Sequence, residues 1–282
     1  MKVRIIVDST ADLPAHVREQ VAVVPLMIQF GQEQYVDGVT ITHTGFYEKL
    51  VESDVLPTTS QPSPQAFAAA YEEVLAAGET PVVITVSSAL SGTYQSAVIA
   101  AQDYPQVRVV DSKTVAIGAG ILAELAVKWA QAELDADLIV EQLKKERENI
   151  RLVALFDTLE YLKKGGRISK TAALAGGMLS IKPVLTVRDG VIEMLGKAHG
   201  SRQGNNLLVK EIQAAGGVDF DKPLLLGYTG LSDALLKKYI RDSAHLWENY
   251  RKDLPQTLIG SVVGTHAGPG AVAVAFFAKH NA

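Results

Sequence analysis

Two segments rich in hydroxyl side chains have the residue types and spacing to bind an anion. They are residues 58–63 (TTSQPS) and residues 86–96 (VSSALSGTYQS). The second segment follows a β-branched run that predicts a buried strand, and it leads into a predicted helix that starts near Tyr94. A strand that ends in serine and glycine and opens a helix presents free backbone N–H groups beside short hydroxyl donors. Because neither segment pairs a nucleophile with a base, we predict that they bind a carboxylate or phosphate rather than cleave a bond.

A basic side chain follows a predicted helix in the second half of the chain. The helix is predicted over 158–164 and ends at a glycine pair, 165–166. Arg167 comes directly after the pair, where its guanidinium can project from a fixed turn towards an anion. We interpret Arg167 as a candidate anion contact and the two lysines at 163–164 as complements of the helix dipole.

One histidine lies in a stretch of glycine and proline, residues 264–270 (GTHAGPG). We predict a strand from Leu258 to Gly264, then a loop, then a helix that runs through Phe277. His266 would lie at the entrance of this helix, where its imidazole can donate a hydrogen bond to a ligand oxygen. The other five histidines have no spacing typical of metal ligands, so we expect no metal site.

Two further motifs have both a structural and a functional explanation. Residues 8–10 (DST) follow the first predicted strand, where they either cap a helix or contact a ligand at the sheet edge. Residues 118–123 (GAGILA) resemble a loose dinucleotide-binding fingerprint, but they fall inside a predicted helix. We interpret these glycines as a site of close helix packing.

The composition excludes several classes of protein. The chain has 282 residues, a net charge of -4 and no basic block, so nucleic acid is a poor partner. The absence of cysteine excludes disulfides, a thiol nucleophile and zinc–thiolate sites. Residues 257–278 lack charged side chains, but glycine and proline interrupt them, so we predict no transmembrane helix and expect a cytoplasmic protein.

Alternating strand and helix patterns predict an α/β fold with two domains, residues 1–150 and residues 151–282. In the first domain, buried strands each lead to a turn and a helix, which is typical of a mainly parallel sheet with helices on both faces. The second domain is predicted to be mixed α/β, with a hairpin that turns at residues 189–190. Two apolar stretches of small residues, 172–181 and 271–277, leave room for an elongated apolar guest.

Five motifs together resemble those of the DegV family, in order and spacing along essentially the whole chain. They are residues 8–13 (DSTADL), 59–63 (TSQPS), 87–96 (SSALSGTYQS), 164–169 (KGGRIS) and 264–270 (GTHAGPG). The resemblance implies a two-domain α/β protein that holds one long-chain fatty acid between its domains. It also implies that Thr59, Ser91 and His266 contact the carboxylate of the fatty acid, and that Ser60 and Gly92 shape the same pocket.

The resemblance further implies a role beside a partner enzyme. Such proteins present the carboxylate to a separate ATP-dependent fatty acid kinase and carry the acyl-phosphate towards phospholipid synthesis. Arg167 matches a family arginine near the pocket mouth, where it would contact the kinase or the phosphate. The segment 197–206 has fewer cations than the family pattern. Within this segment, Arg202 is the candidate residue for contact with the kinase or the phosphate.

We therefore expect a monomeric lipid-binding subunit without a cofactor, not an enzyme. The chain has no phosphate-binding P-loop of its own, so phosphoryl transfer would need the partner kinase. One alternative is an α/β enzyme that acts on a small phosphorylated or carboxylate metabolite at the same site. Another is a regulatory protein whose bound lipid is a signal.

Overall fold

The computed structural model describes residues 2–168 and 181–279. The strands are β1 (Val3–Asp8), β2 (Val21–Val24), β3 (Met27–Phe30), β4 (Glu33–Val36), β5 (Thr58–Ser60), β6 (Thr80–Thr85), β7 (Arg108–Asp111), β8 (Ile150–Leu155), β9 (Ile181–Arg188), β10 (Val191–His199), β11 (Leu225–Tyr228), β12 (Gln256–Leu258) and β13 (Val272–Phe277). The helices are α1 (Ala15–Arg18), α2 (His43–Glu52), α3 (Pro64–Ala76), α4 (Thr93–Ala101), α5 (Ile117–Gln131), α6 (Ala136–Glu146), α7 (Glu160–Lys164), α8 (Gly200–Ala214), α9 (Ala234–Asp242) and α10 (Ser261–Ala267). Short 3-10 segments follow α6 and α9, at Arg147–Asn149 and Ala244–Leu246.

The N-terminal sheet is parallel, with the strand order β2-β1-β6-β7, as predicted. Its two faces bury different side chains of the same strand, because successive residues of a strand point to opposite sides. In β1, Ile6 packs into the core beneath α3 and α4, whereas Ile5 and Val7 pack into the core that contains α5. The predicted parallel sheet with helices on both faces is therefore confirmed.

The second large sheet is mixed, with the strand order β10-β9-β8-β13-β11-β12. Its strands pair antiparallel except β11 and β12, which are parallel. Helices α8 and α9 cover one face, and α5 lies between the other face and the parallel sheet. Every residue of α5 from Ile117 to Val127 is consequently buried.

Helix α5 approaches the loop after β1 very closely. A Cβ atom at Gly120 would collide with the backbone carbonyl of Asp12, so only glycine fits at this position. Residues 118–123 thus lie inside a helix, and their glycines serve packing, as the sequence indicated.

A small third sheet, β4-β3-β5, carries the first hydroxyl-rich segment. It packs with α2 around a core that includes Ile28 and Phe46, and Val262 of α10 belongs to the same core. This packing places β5 beside α10, although about 200 residues separate the two elements in the chain.

Several local predictions are confirmed. The Ser63 side chain accepts a hydrogen bond from the Ala66 amide at the start of α3, with Pro64 in the first turn. Strands β9 and β10 form the predicted hairpin, and Asp189 and Gly190 at its turn have φ values of 49° and 82°. The boundary between residues 150 and 151 stays a prediction.

The predicted secondary structure of residues 258–277 was wrong. The strand ends at Leu258, residues 261–267 form α10, and the predicted helix through Phe277 is β13. A continuous apolar run cannot distinguish a buried strand from a buried helix by its period alone. In β13 alternate side chains enter two different cores, which explains why all six residues are apolar. The predicted small-residue stretch at 172–181 lies outside the described residues except for Ile181.

Candidate functional site

A cavity lies between the parallel sheet and the mixed sheet. Its empty volume is about 930 Å³, including its open mouth. The parallel-sheet side contributes Val86 and Ala116, and the mixed sheet contributes Leu152 and Ala273. Both faces of the cavity are thus apolar, and its position matches the interdomain site expected from the sequence.

The cavity lining is apolar except at a few positions. The polar and charged lining residues are Thr10, Thr59, Ser91, Arg167, Thr186, Thr229 and His266. Four of the seven sequence-predicted site residues are among them: Thr59, Ser91, Arg167 and His266. Ala271 and Ala273, from the predicted small-residue stretch 271–277, also line the cavity.

Thr59 and His266 form a polar contact in the cavity wall. Thr59 is the middle residue of β5, and His266 lies in the last turn of α10. The distance between Thr59 Oγ1 and His266 Nε2 is 2.9 Å. The structure therefore joins the two predicted site residues directly, even though His266 is on a helix instead of the predicted loop.

His266 is uncharged at neutral pH. Burial, and to a smaller extent the positive charge of Arg167, lower its pKa to about 4. Its Nδ1 atom is buried without a hydrogen-bond partner in the described part of the chain, and Gly165 lies against it so closely that a Cβ there would collide with the ring. A neutral imidazole donates at one nitrogen and accepts at the other, so it can bind a ligand oxygen without bringing a second buried charge.

Ser91 lies at the start of α4, beside the N-cap residue Gly92. Its hydroxyl is 2.8 Å from Thr93 Oγ1 and accepts a hydrogen bond from the Thr93 amide at 3.3 Å. The Gln61 amide packs directly over Gly92, where a Cβ would clash with it. This contact brings the two hydroxyl-rich segments together, and it requires glycine at position 92.

Three of the seven predicted site residues do not line the cavity. Ser60 is exposed, because it follows Thr59 in β5 and so points to the opposite face of the strand. Arg202 is also exposed, in the first turn of α8. Gly92 contributes through its contact with Gln61, not as a lining residue.

Arg167 lies at the rim of the cavity, exposed on one side. Its Nε donates to the Leu90 carbonyl at 3.3 Å, and its Nη1 donates to the Gly165 carbonyl. The guanidinium therefore bridges the glycine pair and the loop that carries Ser91. Among the described residues its two acceptors are backbone carbonyls, and a carboxylate or phosphate at the rim would be a stronger acceptor.

The motif at residues 8–10 has a structural role that the sequence left open. The buried Asp8 carboxylate accepts hydrogen bonds from the Thr10 amide at 2.9 Å, the Thr10 hydroxyl at 2.6 Å and the Val86 amide at 2.7 Å. These bonds tie the ends of β1 and β6 together beside the cavity. Thr10 itself lines the cavity, so the motif both shapes the loop and reaches the site.

Sequence reasoning missed most of the apolar wall. Val262 and Val263 of α10 and Leu152 and Ala154 of β8 line the cavity, but they look like ordinary core residues in the sequence. The role of Ala154 can be recognised only from the structure, because it depends on the pairing of Ala154 with Ala273 in the sheet. Two small side chains at paired positions leave space between the sheet and α5.

The arrangement suits binding of an amphiphile with a carboxylate. An apolar cavity can accept a hydrocarbon chain, and hydroxyls with a neutral imidazole can hydrogen-bond an oxyanion. Within residues 2–168 and 181–279, no cluster of three or more histidine or carboxylate side chains could hold a metal ion. None of the helices described in this structure is long and apolar enough to span a membrane.

The fold and cavity define a two-domain α/β protein with an interdomain apolar pocket, and comparisons identify its family. Residues 2–279 match the model of an uncharacterised protein family, the DegV family. DegV domain-containing proteins of Caldanaerobacter subterraneus and Deinococcus radiodurans are 33% and 35% identical, over 99% and 98% of both chains. The chain therefore belongs to the DegV family.

Several solved structures of the same fold are described as fatty acid-binding proteins. A fatty acid-binding DegV family protein from Thermus thermophilus is 31% identical, with a TM-score of 0.87 and coverage of 99% of this chain and 100% of its own. A stearic acid-binding protein from Eubacterium ventriosum is 27% identical, with a TM-score of 0.86 over 98% of both chains. DegV of Bacillus subtilis, described as a fatty acid-binding protein, is also 27% identical, with a TM-score of 0.82 over 99% of this chain and 100% of its own.

Proposed function

We propose that this protein binds one long-chain fatty acid, with the acyl chain in the cavity and the carboxylate beside Thr59 and His266. The observation that carries the proposal is an apolar cavity whose wall contains a hydroxyl–imidazole pair 2.9 Å apart. The fatty acid-binding descriptions of its structural relatives support the same ligand class.

The energetics of the cavity favour a ligand with a long hydrocarbon chain. Each buried methylene contributes roughly 0.8 kcal/mol, so a long acyl chain gains on the order of 10 kcal/mol before the costs of association. The carboxylate must remain hydrogen-bonded, because an unpaired buried charge is very unfavourable. Thr59, Ser91 and the neutral His266 supply hydrogen-bonding groups at the cavity wall.

We further propose that the protein presents the carboxylate to a separate ATP-dependent fatty acid kinase. The product would be an acyl-phosphate, which the protein would carry through the cytoplasm towards phospholipid synthesis, as a monomer. Arg167 is at the rim of the cavity, where it could contact the developing phosphate. Arg202 is exposed on α8 and could contact the kinase.

Mass spectrometry of the denatured protein tests the ligand. We expect a co-purified or exchangeable long-chain fatty acid at about one molecule per chain. Absence of any bound or exchangeable fatty acid would overturn the proposal, and a phosphorylated metabolite in its place would support an enzyme of small metabolites.

Substitution of Ser91 tests the site. Ser91→Ala removes the hydroxyl of a residue that lines the cavity and leaves the apolar walls unchanged, so fatty acid retention should fall while the fold is kept. Ser60→Ala is the matched control, because Ser60 is exposed on the opposite face of its strand. Equal retention by both variants would remove Ser91 from the site.

Addition of the kinase and ATP tests the partner role. We expect phosphorylation of the bound fatty acid only when both proteins are present, and we expect Arg167→Ala to reduce it more than it reduces fatty acid binding. If deletion of the gene leaves acyl transfer to phospholipid intact, a signalling role for the bound lipid would be favoured instead.

A further inference from the structure

One face of helix α10 consists of glycine. Gly260, Gly264 and Gly268 are spaced four residues apart, which places them on the same side of the helix. Gly264 lies within the helix, and Gly260 and Gly268 are its two capping residues. We call these three residues the glycine face. The helix residues Val263 and His266, which line the cavity, lie outside it.

The glycine face is in close contact with side chains from elsewhere in the chain. A Cβ atom at Gly264 would lie 2.5 Å from the Tyr47 hydroxyl and 2.9 Å from the Phe46 ring, and real Cβ atoms do not come this close to other heavy atoms. At Gly268, where φ is 69°, a Cβ would collide with the Tyr161 ring. The depth at which α10 lies against α2 is therefore set by direct contact with backbone atoms.

Two buried side chains hold the backbone at the start of α10. The Tyr47 hydroxyl donates a hydrogen bond to the Ile259 carbonyl at 2.9 Å. The Asp12 carboxylate accepts one from the Gly260 amide at 2.7 Å. Both bonds connect residues more than 200 positions apart, so they fix α10 relative to the N-terminal half of the protein.

The position of α10 decides where His266 lies. His266 is in the last turn of this short helix, and its Nε2 is 2.9 Å from Thr59 Oγ1. Thr59 belongs to the small third sheet, so the two residues are carried by different elements. A shift of α10 by a fraction of an ångström would lengthen this hydrogen bond, because Thr59 is fixed by its strand pairing with Ile28. We propose that Tyr47 is a positioning residue, which holds α10 at the depth that brings the His266 imidazole to Thr59.

The expected change in fatty acid affinity rests on the proposed function, whereas the positioning of His266 by Tyr47 does not. Tyr47 does not line the cavity, so it acts through His266 and not by touching a ligand. It is fully buried on α2, and removal of its hydroxyl would leave the Ile259 carbonyl unpaired and open a gap beside Gly264. Helix α10 would then be free to move into that gap.

The test compares Tyr47→Phe with a matched control, Tyr71→Phe. Tyr71 is equally buried, and its hydroxyl also donates to a backbone carbonyl, that of Ala97 at 3.0 Å. It belongs to the core beneath α3 and α4, on the other side of the parallel sheet from the cavity. The two variants therefore lose the same kind of hydrogen bond, but only one loses it beside α10.

Two quantities are measured for each variant: the ring ¹⁵N resonances of His266 in the ligand-free protein, assigned with His266→Gln, and the Kd for a long-chain fatty acid. We expect Tyr47→Phe to shift the His266 resonances and to raise Kd about fivefold, the factor that one net hydrogen bond contributes. Tyr71→Phe should leave both at their wild-type values. If Tyr47→Phe leaves the His266 resonances unmoved, or Tyr71→Phe moves them equally, the inference is overturned.

The His266 spectrum separates this inference from the proposed function. If the wild-type protein binds no fatty acid, the proposed function fails, and the ¹⁵N shifts alone still decide the role of Tyr47. If circular dichroism shows that Tyr47→Phe does not fold, Gly264→Ala is used instead. It changes the same contact on the α10 side, since its methyl group would push against the Tyr47 hydroxyl. Unchanged His266 resonances in a folded Gly264→Ala protein would equally reject the inference.

Discussion

Ser87 and Gly190 are 103 residues apart in the chain, and the Ser87 hydroxyl donates a hydrogen bond to the Gly190 carbonyl at 2.7 Å. Both residues are buried. The bond joins the loop after β6 to the tip of the β9–β10 hairpin, and each of these segments contributes to the cavity wall, through Leu90 and Ile192 respectively. The contact thus closes one side of the cavity between the two halves of the molecule.

Ser87→Ala should weaken this closure. The buried Gly190 carbonyl would lose its partner, so we expect the free energy of unfolding to fall by about 1–3 kcal/mol. Dissociation of a bound fatty acid should become faster, because the hairpin can separate from the loop more readily. Chemical denaturation and stopped-flow release of a fluorescent fatty acid measure the two effects.

Ser88→Ala is the control for this prediction. Ser88 is the next residue in the same loop, but it is exposed and bonds to the carboxylate of Asp111 at the surface. We expect its unfolding free energy to stay within about 0.5 kcal/mol of the wild-type value. Equal release rates for Ser87→Ala and the wild-type protein would show that this hydrogen bond does not limit ligand exit.

The buried His266 predicts a loss of stability in mild acid. Its pKa is about 4 in the folded protein, owing to burial and then to the charge of Arg167, against an ordinary value of 6.5. As pH falls below 6.5, the unfolded state takes up a proton before the folded state does. The contribution of His266 to the free energy of unfolding should therefore be constant above about pH 6.5 and decrease by about 3 kcal/mol as pH approaches 4.

Comparison with His266→Gln isolates this contribution. Glutamine does not titrate, so the variant should lose less stability than the wild-type protein between pH 6.5 and pH 4. His16→Gln is the control, because the His16 side chain is 64% exposed. Parallel stability curves for the wild-type protein and His266→Gln would contradict the low pKa of His266.

Asp12 allows a second prediction about pH, with the opposite sign. Burial raises the pKa of this carboxyl well above its usual value, while the hydrogen bond from Gly260 acts against the increase. A raised pKa in the folded state means that stability is lost as pH increases through that pKa. Asp12→Asn retains an acceptor for the Gly260 amide but carries no charge, so its stability relative to the wild-type protein should rise as pH increases above the ordinary carboxyl pKa of 3.8.

Asp12→Ala separates the hydrogen bond from the charge. It leaves the buried Gly260 amide without its partner, so we expect a loss of about 1–3 kcal/mol in the free energy of unfolding relative to Asp12→Asn. Urea titrations at several pH values measure both variants. If Asp12→Asn is as unstable as Asp12→Ala at every pH, the hydrogen bond from the Gly260 amide does not contribute to stability.

Much of the fold could be predicted from local sequence patterns. The strands of the parallel sheet are β-branched runs followed by turn residues, and Ser63 with Pro64 is a strong local signal for a helix start. The turn at Asp189 and Gly190 is equally local, because it needs residues that tolerate positive φ. Such features depend on neighbours in the chain, so one sequence suffices to find them.

The region around His266 could not be predicted in this way. Its glycines are typical of a loop, but in the structure they form the glycine face of α10, and they are explained only by the contacts with Tyr47, Phe46 and Tyr161. The prediction for Ser60 omitted the alternation of side chains along β5, which brings Thr59 alone to the cavity. In both cases tertiary packing overrides the local pattern, and packing partners more than 100 residues away are not visible in the sequence.

The paired alanines of the cavity wall predict how chain-length preference can be altered. Ala154 and Ala273 lie opposite each other on β8 and β13, and both line the cavity. Ala273→Leu would add three carbon atoms to the wall and displace about three methylenes of the longest ligand, which should weaken its binding on the order of 50-fold. Shorter fatty acids should bind as they do to the wild-type protein, and Ala154→Leu should act in the same direction. Kd values for a series of saturated fatty acids of increasing length measure this shift, and an unchanged length profile in both variants would show that the acyl chain does not lie over these alanines.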